Sequence, residues 1–162
     1  MRQPYISFNA RYRTQGFTLL EVLVTLVVLS IGLLGLAGMQ LNGLQSNHSA
    51  YLRSQATILT QDIADRMRAN RISTVTGAYD IALGDVPAAV TCTGVGANCP
   101  TSALANADLS QWKTHLADSL PQGDGAITRV TAGAITLVTI TVQWDDSKGQ
   151  NDPVQLTTET LI

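Results

Sequence analysis

Glu21 is the one charged residue between Phe17 and Leu52, and it stands inside a run of apolar side chains. At membrane depth a carboxylate costs roughly 2.5–3.5 kcal/mol on translocon-insertion scales, so its chemistry is that of an anion in need of a partner. The residues around it, Gly16-Phe17-Thr18-Leu19-Leu20-Glu21-Val22, decide how the rest of the chain is read. Two other groups invite chemistry. Cys92 and Cys99 lie seven positions apart, too wide for a CxxC redox or zinc motif and with no histidine nearby. In an oxidising compartment they are expected to form a disulfide that closes a small loop, contributing about 2–3 kcal/mol; in the cytoplasm they would be two buried thiols. Asp145, Asp146 and Asp152 offer the clustered oxygens that a hard cation such as calcium wants, but their spacing is not that of an EF-hand loop. Solvated turn acids are therefore the expectation there, and no metal is assigned. His48 and His115 have no acid–base partner at motif spacing, and no nucleophile–base set occurs, so no catalytic residue, cofactor or enzymatic activity is expected.

The elements that position these residues begin with a polar leader, 1–16, carrying Arg2, Arg11 and Arg13 and no acid. Val22 to Met39 is free of charge and lies just inside the lower length limit for a membrane-spanning helix. The basic leader should stay cytoplasmic, which sends everything beyond Met39 to the periplasm or exterior. An ordinary secretory signal, cut near Gly35-Leu36-Ala37 to leave Gly38 first, would share the basic and apolar regions. It leaves Glu21 unexplained. Without the leader's three arginines the net charge of −2 becomes −5, so the mature chain has no general electrostatic footprint for nucleic acid. Arg66, Arg68 and Arg71 read as a solvated helix end.

No proline interrupts Phe17 to Asn70, and the apolar positions keep a helical period, which predicts one long helix in two parts. Residues 17–39 are apolar all round, the transmembrane or assembly half. Residues 40–70 are amphipathic, with Leu52, Ala56, Leu59, Ile63 and Met67 on one stripe and Asp62–Arg66 as an i,i+4 pair. Gly32, Gly35, Gly38 and Gly43 interrupt the apolar region at spacings of three and five, not the GxxxG pattern, and suit either close helix approach or a segment able to melt. Residues 71–162 form the head. There 71–107 reads as an irregular connector, and Asp108–Leu120 as a short helix capped by Asn106 or Asp108, with Trp112 in the core. Strands are predicted over 126–131, 135–144 and 154–161, with Trp144 also in the core. The expected fold is α+β, a long N-terminal helix packed on a three- or four-stranded antiparallel sheet.

With these residues in view the chain resembles the type IV pilins, whose precursors share the G-F-T-L-x-E pattern after a basic leader and before a long apolar helix. Leu59–Arg71, Leu109-Ser110-Gln111-Trp112 and Val142-Gln143-Trp144-Asp145-Asp146 resemble the Gram-negative minor pilins called type IV pilus modification protein PilV. The resemblance implies cleavage by prepilin peptidase between Gly16 and Phe17 and N-methylation of Phe17. It implies that Glu21 meets the terminal amine of a neighbouring subunit and sets axial register. Implied partners are other minor and major pilins, the inner-membrane assembly platform and membrane lipid, with the head in the periplasm and then on the cell surface in the pilus. Many major pilins carry a proline partway along the apolar half and this chain has none, which favours a minor subunit. A type II secretion pseudopilin of the I class shares the same N-terminal half and is the nearest rival; a periplasmic binding domain behind a signal peptide is a rival of another class.

Overall fold

The computed structural model describes residues 16–88, 99–147 and 149–162. Its elements run α1 (Leu19–Ala69), α2 (Arg71–Thr76), α3 (Thr101–Ser119), β1 (Asp124–Ala132), β2 (Ile135–Trp144) and β3 (Val154–Leu161). The chain divides into two compact units, one ending at Leu44 and one running Gln45–Ile162.

In the first unit every described residue is exposed, as follows from a helix with no polar face to turn toward water and no second element to cover it. The second unit holds the core. Leu52, Ala56, Leu59, Ile63 and Met67 are buried along α1, so the predicted stripe is the packing face. Ala105, Leu109, Trp112 and Leu116 of α3 meet it, and the indole N–H of Trp112 donates to the Leu59 carbonyl at 3.0 Å. Both helices cover one face of the sheet, where Val138, Ile140, Val142 and Trp144 alternate inward from β2. Trp112 and Trp144 are thus core residues.

The sheet has three strands in the order β1-β2-β3, all antiparallel, with Ile127 opposite Ile140 and Ile140 opposite Thr158. Ile81 bridges to Ile127 on the outer side of β1. Gly125 is required by close approach: a Cβ there would run into the Trp112 ring and Leu116.

The connector expected over 71–107 is partly helical. Directly after Asn70, α2 forms and ends at Gly77, which adopts φ +88 and donates its N–H back to the helix. The helix expected from Asp108 begins instead at Thr101, seven residues earlier. Its N-cap is Pro100, with no side-chain cap bond, in place of Asn106 or Asp108. The Ala-rich segment 102–107 forms helix readily but offers one buried apolar side chain, Ala105, so its period is faint. Strand β1 extends two residues earlier and one later than predicted, while β2 and β3 match their predicted spans.

Candidate assembly site

Gly16 and Phe17 precede α1 in non-helical backbone, and Phe17 is 84% exposed. Thr18 is the residue before the helix. Its hydroxyl accepts from the Glu21 N–H at 3.3 Å, and its carbonyl accepts from Glu21 and Val22 at 3.1 and 3.3 Å. Thr18-x-x-Glu21 is the sequence of a capping box, in which the N-cap hydroxyl satisfies the N–H three residues on. That signature stands in the sequence directly ahead of the apolar run, where it marks the helix start. As the acid in the first turn, Glu21 also faces the positive end of the helix dipole.

Among the described residues the Glu21 carboxylate has no ion-pair or hydrogen-bond partner, and it is exposed. It is surrounded by exposed apolar side chains from Phe17 through Leu44. Among the described residues α1 is the one helix long and apolar enough to cross a membrane, and its most apolar window has no buried residue. A core helix of a soluble protein would be covered by its own chain. Gly32, Gly35, Gly38 and Gly43 have no described residue against them, which leaves room there for close helix approach.

The other candidate residues lie apart from this site. Cys92 falls outside the described residues, as do Arg2, Arg11 and Arg13. Cys99 is half-buried just before Pro100. Asp145 is buried and accepts from the Ser147 N–H and hydroxyl at 2.8 and 3.0 Å, while Asp146 accepts from the Ser49 hydroxyl at 2.5 Å. These acids fasten the β2–β3 loop to itself and to α1. No group of three or more metal-ligating side chains occurs among the described residues. His48 is exposed and His115 half-buried.

The arginines of the α1 end divide. Arg66 pairs with Asp62 at 3.0 Å and with Asp108 at 3.2 Å, and donates to Gln111 at 2.7 Å. Burial pulls its pKa down, but the two carboxylates outweigh burial and raise it. Tyr79 donates to the other oxygen of Asp108 at 2.6 Å, and burial together with that carboxylate pushes the phenol well above its usual range. Asn70 joins Tyr79 to the Thr101 carbonyl. Arg68 pairs with Asp65 and reaches Thr160, which leaves Arg71 with no ion-pair partner among the described residues. The Asp62–Arg66 link was the one read from spacing; the links of Asp108 to Tyr79 and Arg66 and of Gln111 to Arg66 join residues 29 to 45 positions apart.

Comparison with protein families gives two matches. The prokaryotic N-terminal methylation motif covers residues 11–37, a span that includes Gly16, Phe17 and Glu21, and the type IV pilin Tt1218 family covers 38–110. No curated protein and no solved structure matches the chain.

Proposed function

The chain belongs to the type IV pilin superfamily, and from that premise we propose that it is a minor pilin of the PilV kind, acting to initiate or tune assembly of a type IV pilus. Membership points to a structural rather than enzymatic protein in a pilus or pseudopilus, processed by prepilin peptidase and bound to other pilins. The observation that carries the pilin reading is the bare apolar half of α1 with one carboxylate in its first turn; the finer minor-pilin reading is supported by the resemblance of Leu59–Arg71 and Val142-Gln143-Trp144-Asp145-Asp146 and by the lack of a proline in that half.

Cleavage after Gly16 would place a cationic amine on Phe17, one residue ahead of the N-cap. That amine meets the positive end of the helix dipole and an apolar surround, both unfavourable to it. A carboxylate is the group that relieves this. Glu21 of one subunit against the amine of the next would offset two desolvation costs with one pair and fix the axial stagger. N-methylation of Phe17 keeps the cation. The apolar half lies first in the inner-membrane lipid and then against neighbouring helices, with the head periplasmic and later on the cell surface. In that oxidising space Cys92 and Cys99, seven positions apart, would form a disulfide.

The test is Glu21→Gln in the full chain, made in a piliated host. Mass spectrometry should still find N-methyl-Phe17 as the first residue, while incorporation into sheared filaments falls. Unchanged incorporation removes the role of Glu21, and a mature chain starting at Gly38 removes the pilin role altogether.

A further inference from the structure

The two edges of the sheet end differently. At β1 the Ile81 N–H donates to the Ile127 carbonyl at 3.0 Å and the Ile127 N–H to the Ile81 carbonyl at 2.9 Å, so the chain covers part of that edge itself. Along the outer side of β3 there is no strand or bridge among the described residues. The Ile81 bridge also fixes which backbone groups face out. Ile127 gives its N–H and C=O to Ile81, so Ile127 and Ile140 are a non-hydrogen-bonded pair, and the pairs alternate from there across the sheet. Ile140 therefore turns its groups to Thr158, and Leu156, Thr158 and Thr160 are bonded to β2. The Ile162 N–H on the Thr136 carbonyl, at 3.0 Å, keeps the same alternation. Gln155, Thr157, Glu159 and Leu161 are left directing one N–H and one C=O each away from the sheet.

We propose that the outer edge of β3 is a binding site for an extended peptide segment of another polypeptide, added antiparallel as a fourth strand. The free groups are backbone donors and acceptors at β spacing, and their complement is another extended backbone. The devices that blunt an edge are few here. The register Val154–Leu161 runs without a bulge, no proline interrupts it, and Glu159 is its one charge. The site also has a second wall. Thr158 lies on the inner side, in the row of Ile140, yet it is exposed, because a groove of about 330 Å³ separates it from Gln61, Asp65 and Arg68 of α1. Arg68 reaches across to the Thr160 hydroxyl at 2.7 Å and holds the helix beside the edge. With α1 standing over its inner side, the edge admits a single strand rather than a folded surface. The two faces of that strand have different chemistry. Inner residues meet Gln61 and Asp65 and suit hydroxyl side chains, while the outer residue beside Glu159 suits Lys or Arg. The site belongs to the head and is independent of the assembly role of Glu21.

Amide exchange, read by NMR on the full chain in detergent, tests this with a synthetic peptide, Val-Ser-Lys-Ser-Thr-Ser-Gln. Its Lys falls beside Glu159 when its Val falls beside Leu161. At millimolar peptide the amides of Gln155, Thr157, Glu159 and Leu161 should exchange about tenfold more slowly. Those of Leu156, Thr158 and Thr160, already bonded to β2, should not change. The same peptide N-methylated at its Lys and Thr lacks the donors that face β3 and should protect nothing. Thr157→Pro deletes one outward N–H and no bond to β2, so the thermal midpoint should hold while protection is lost; Thr157→Val should keep both. Protection that survives N-methylation of the peptide overturns strand addition, a result that needs no variant to fold. Exchange unchanged by the parent peptide overturns the site. Protection that appears without peptide and grows with protein concentration overturns the choice of occupant in favour of a second copy.

Discussion

Residues 19–44 and 45–69 belong to one helix and answer to different surroundings. The first stretch buries nothing in its own chain, whereas the second buries Leu52, Ala56, Leu59, Ile63 and Met67 against α3 and the sheet. Apolar side chains are far denser in the first stretch, rich in leucine and valine, than in the second, but density alone does not say which face packs. What separates them is the placement of polar side chains. From Arg53 onward the charged and amide groups recur away from the stripe, so one face can meet water while the other packs. Between Val22 and Met39 no such face exists, and these residues are exposed. A helix that leaves its surroundings to other molecules is suited to leave lipid and enter a polymer; a helix that carries its own core is suited to display a folded head.

The largest effect that could break this comparison is expected from Trp112→Ala. The indole fills the space between α1 and the sheet and donates to Leu59, so its loss should destabilise the head by about 3–5 kcal/mol. Urea denaturation of the full chain in detergent, followed by near-UV circular dichroism, checks this. The apolar half depends on none of these contacts, so the mutant should still be membrane-retained and begin at methylated Phe17. Loss of processing together with loss of the head would show that the two stretches are not independent.

That independence also explains what could be read from sequence. The stripe of α1 and the alternation of β2 were legible because each buries one face against a broad apolar surface, and burial imposes a period. The start of α3 was not, because among its first seven residues only Ala105 is buried and Pro100 caps without a side-chain bond. Asp108 looked like a cap from its neighbours; its partners are Tyr79 and Arg66, brought to it by the fold. The α2 segment Ile72-Ser73-Thr74-Val75-Thr76 is rich in β-branched residues, poor helix formers, and is held by the Thr74 hydroxyl on the Met67 and Asn70 carbonyls. Gly16, Phe17 and Glu21 stood out because their pattern is local, and the fold adds the cap at Thr18 to it.

A smaller effect sharpens the comparison through pH. Asp124 accepts from Lys113 at 2.5 Å and from the Gly84 N–H at 2.6 Å. Burial pushes its pKa up, but Lys113 and the Gly84 and Gly125 amides prevail and lower it. A carboxyl depressed in the folded state stabilises the fold above its unfolded pKa, and that contribution disappears as pH falls through the folded pKa. Asp80 has the opposite sign: burial raises it despite Arg129, so its contribution is present at acid pH and lost as pH rises. Asp124→Asn should therefore cost about 1–3 kcal/mol at neutral pH and less at pH values below the carboxylate range, measured as thermal midpoints at both. An equal loss at the two pH values would show that packing rather than charge is what Asp124 supplies. Membrane retention, which involves only the apolar half, should not change at either.

The smallest effect separates the two roles that meet at Glu21. At position N3 after the Thr18 cap its backbone N–H helps to start α1, and as the lone anion of an apolar surface its side chain is proposed to meet an incoming amine. Glutamine keeps the backbone N–H that bonds Thr18 and is tolerated at this position but carries no charge, so Glu21→Gln tests the anion with the Thr18 cap preserved. Thr18→Ala does the reverse, removing the hydroxyl that accepts from the Glu21 N–H and costing about 1 kcal/mol of helix stability. If the charge governs assembly, Thr18→Ala should fray the first turn, seen as faster amide exchange at Glu21 and Val22, and lower filament incorporation much less than Glu21→Gln. Thr18→Ser should restore slow exchange. Equal loss of incorporation in Thr18→Ala and Glu21→Gln would instead make the ordered first turn, rather than its anion, what the neighbouring subunit requires.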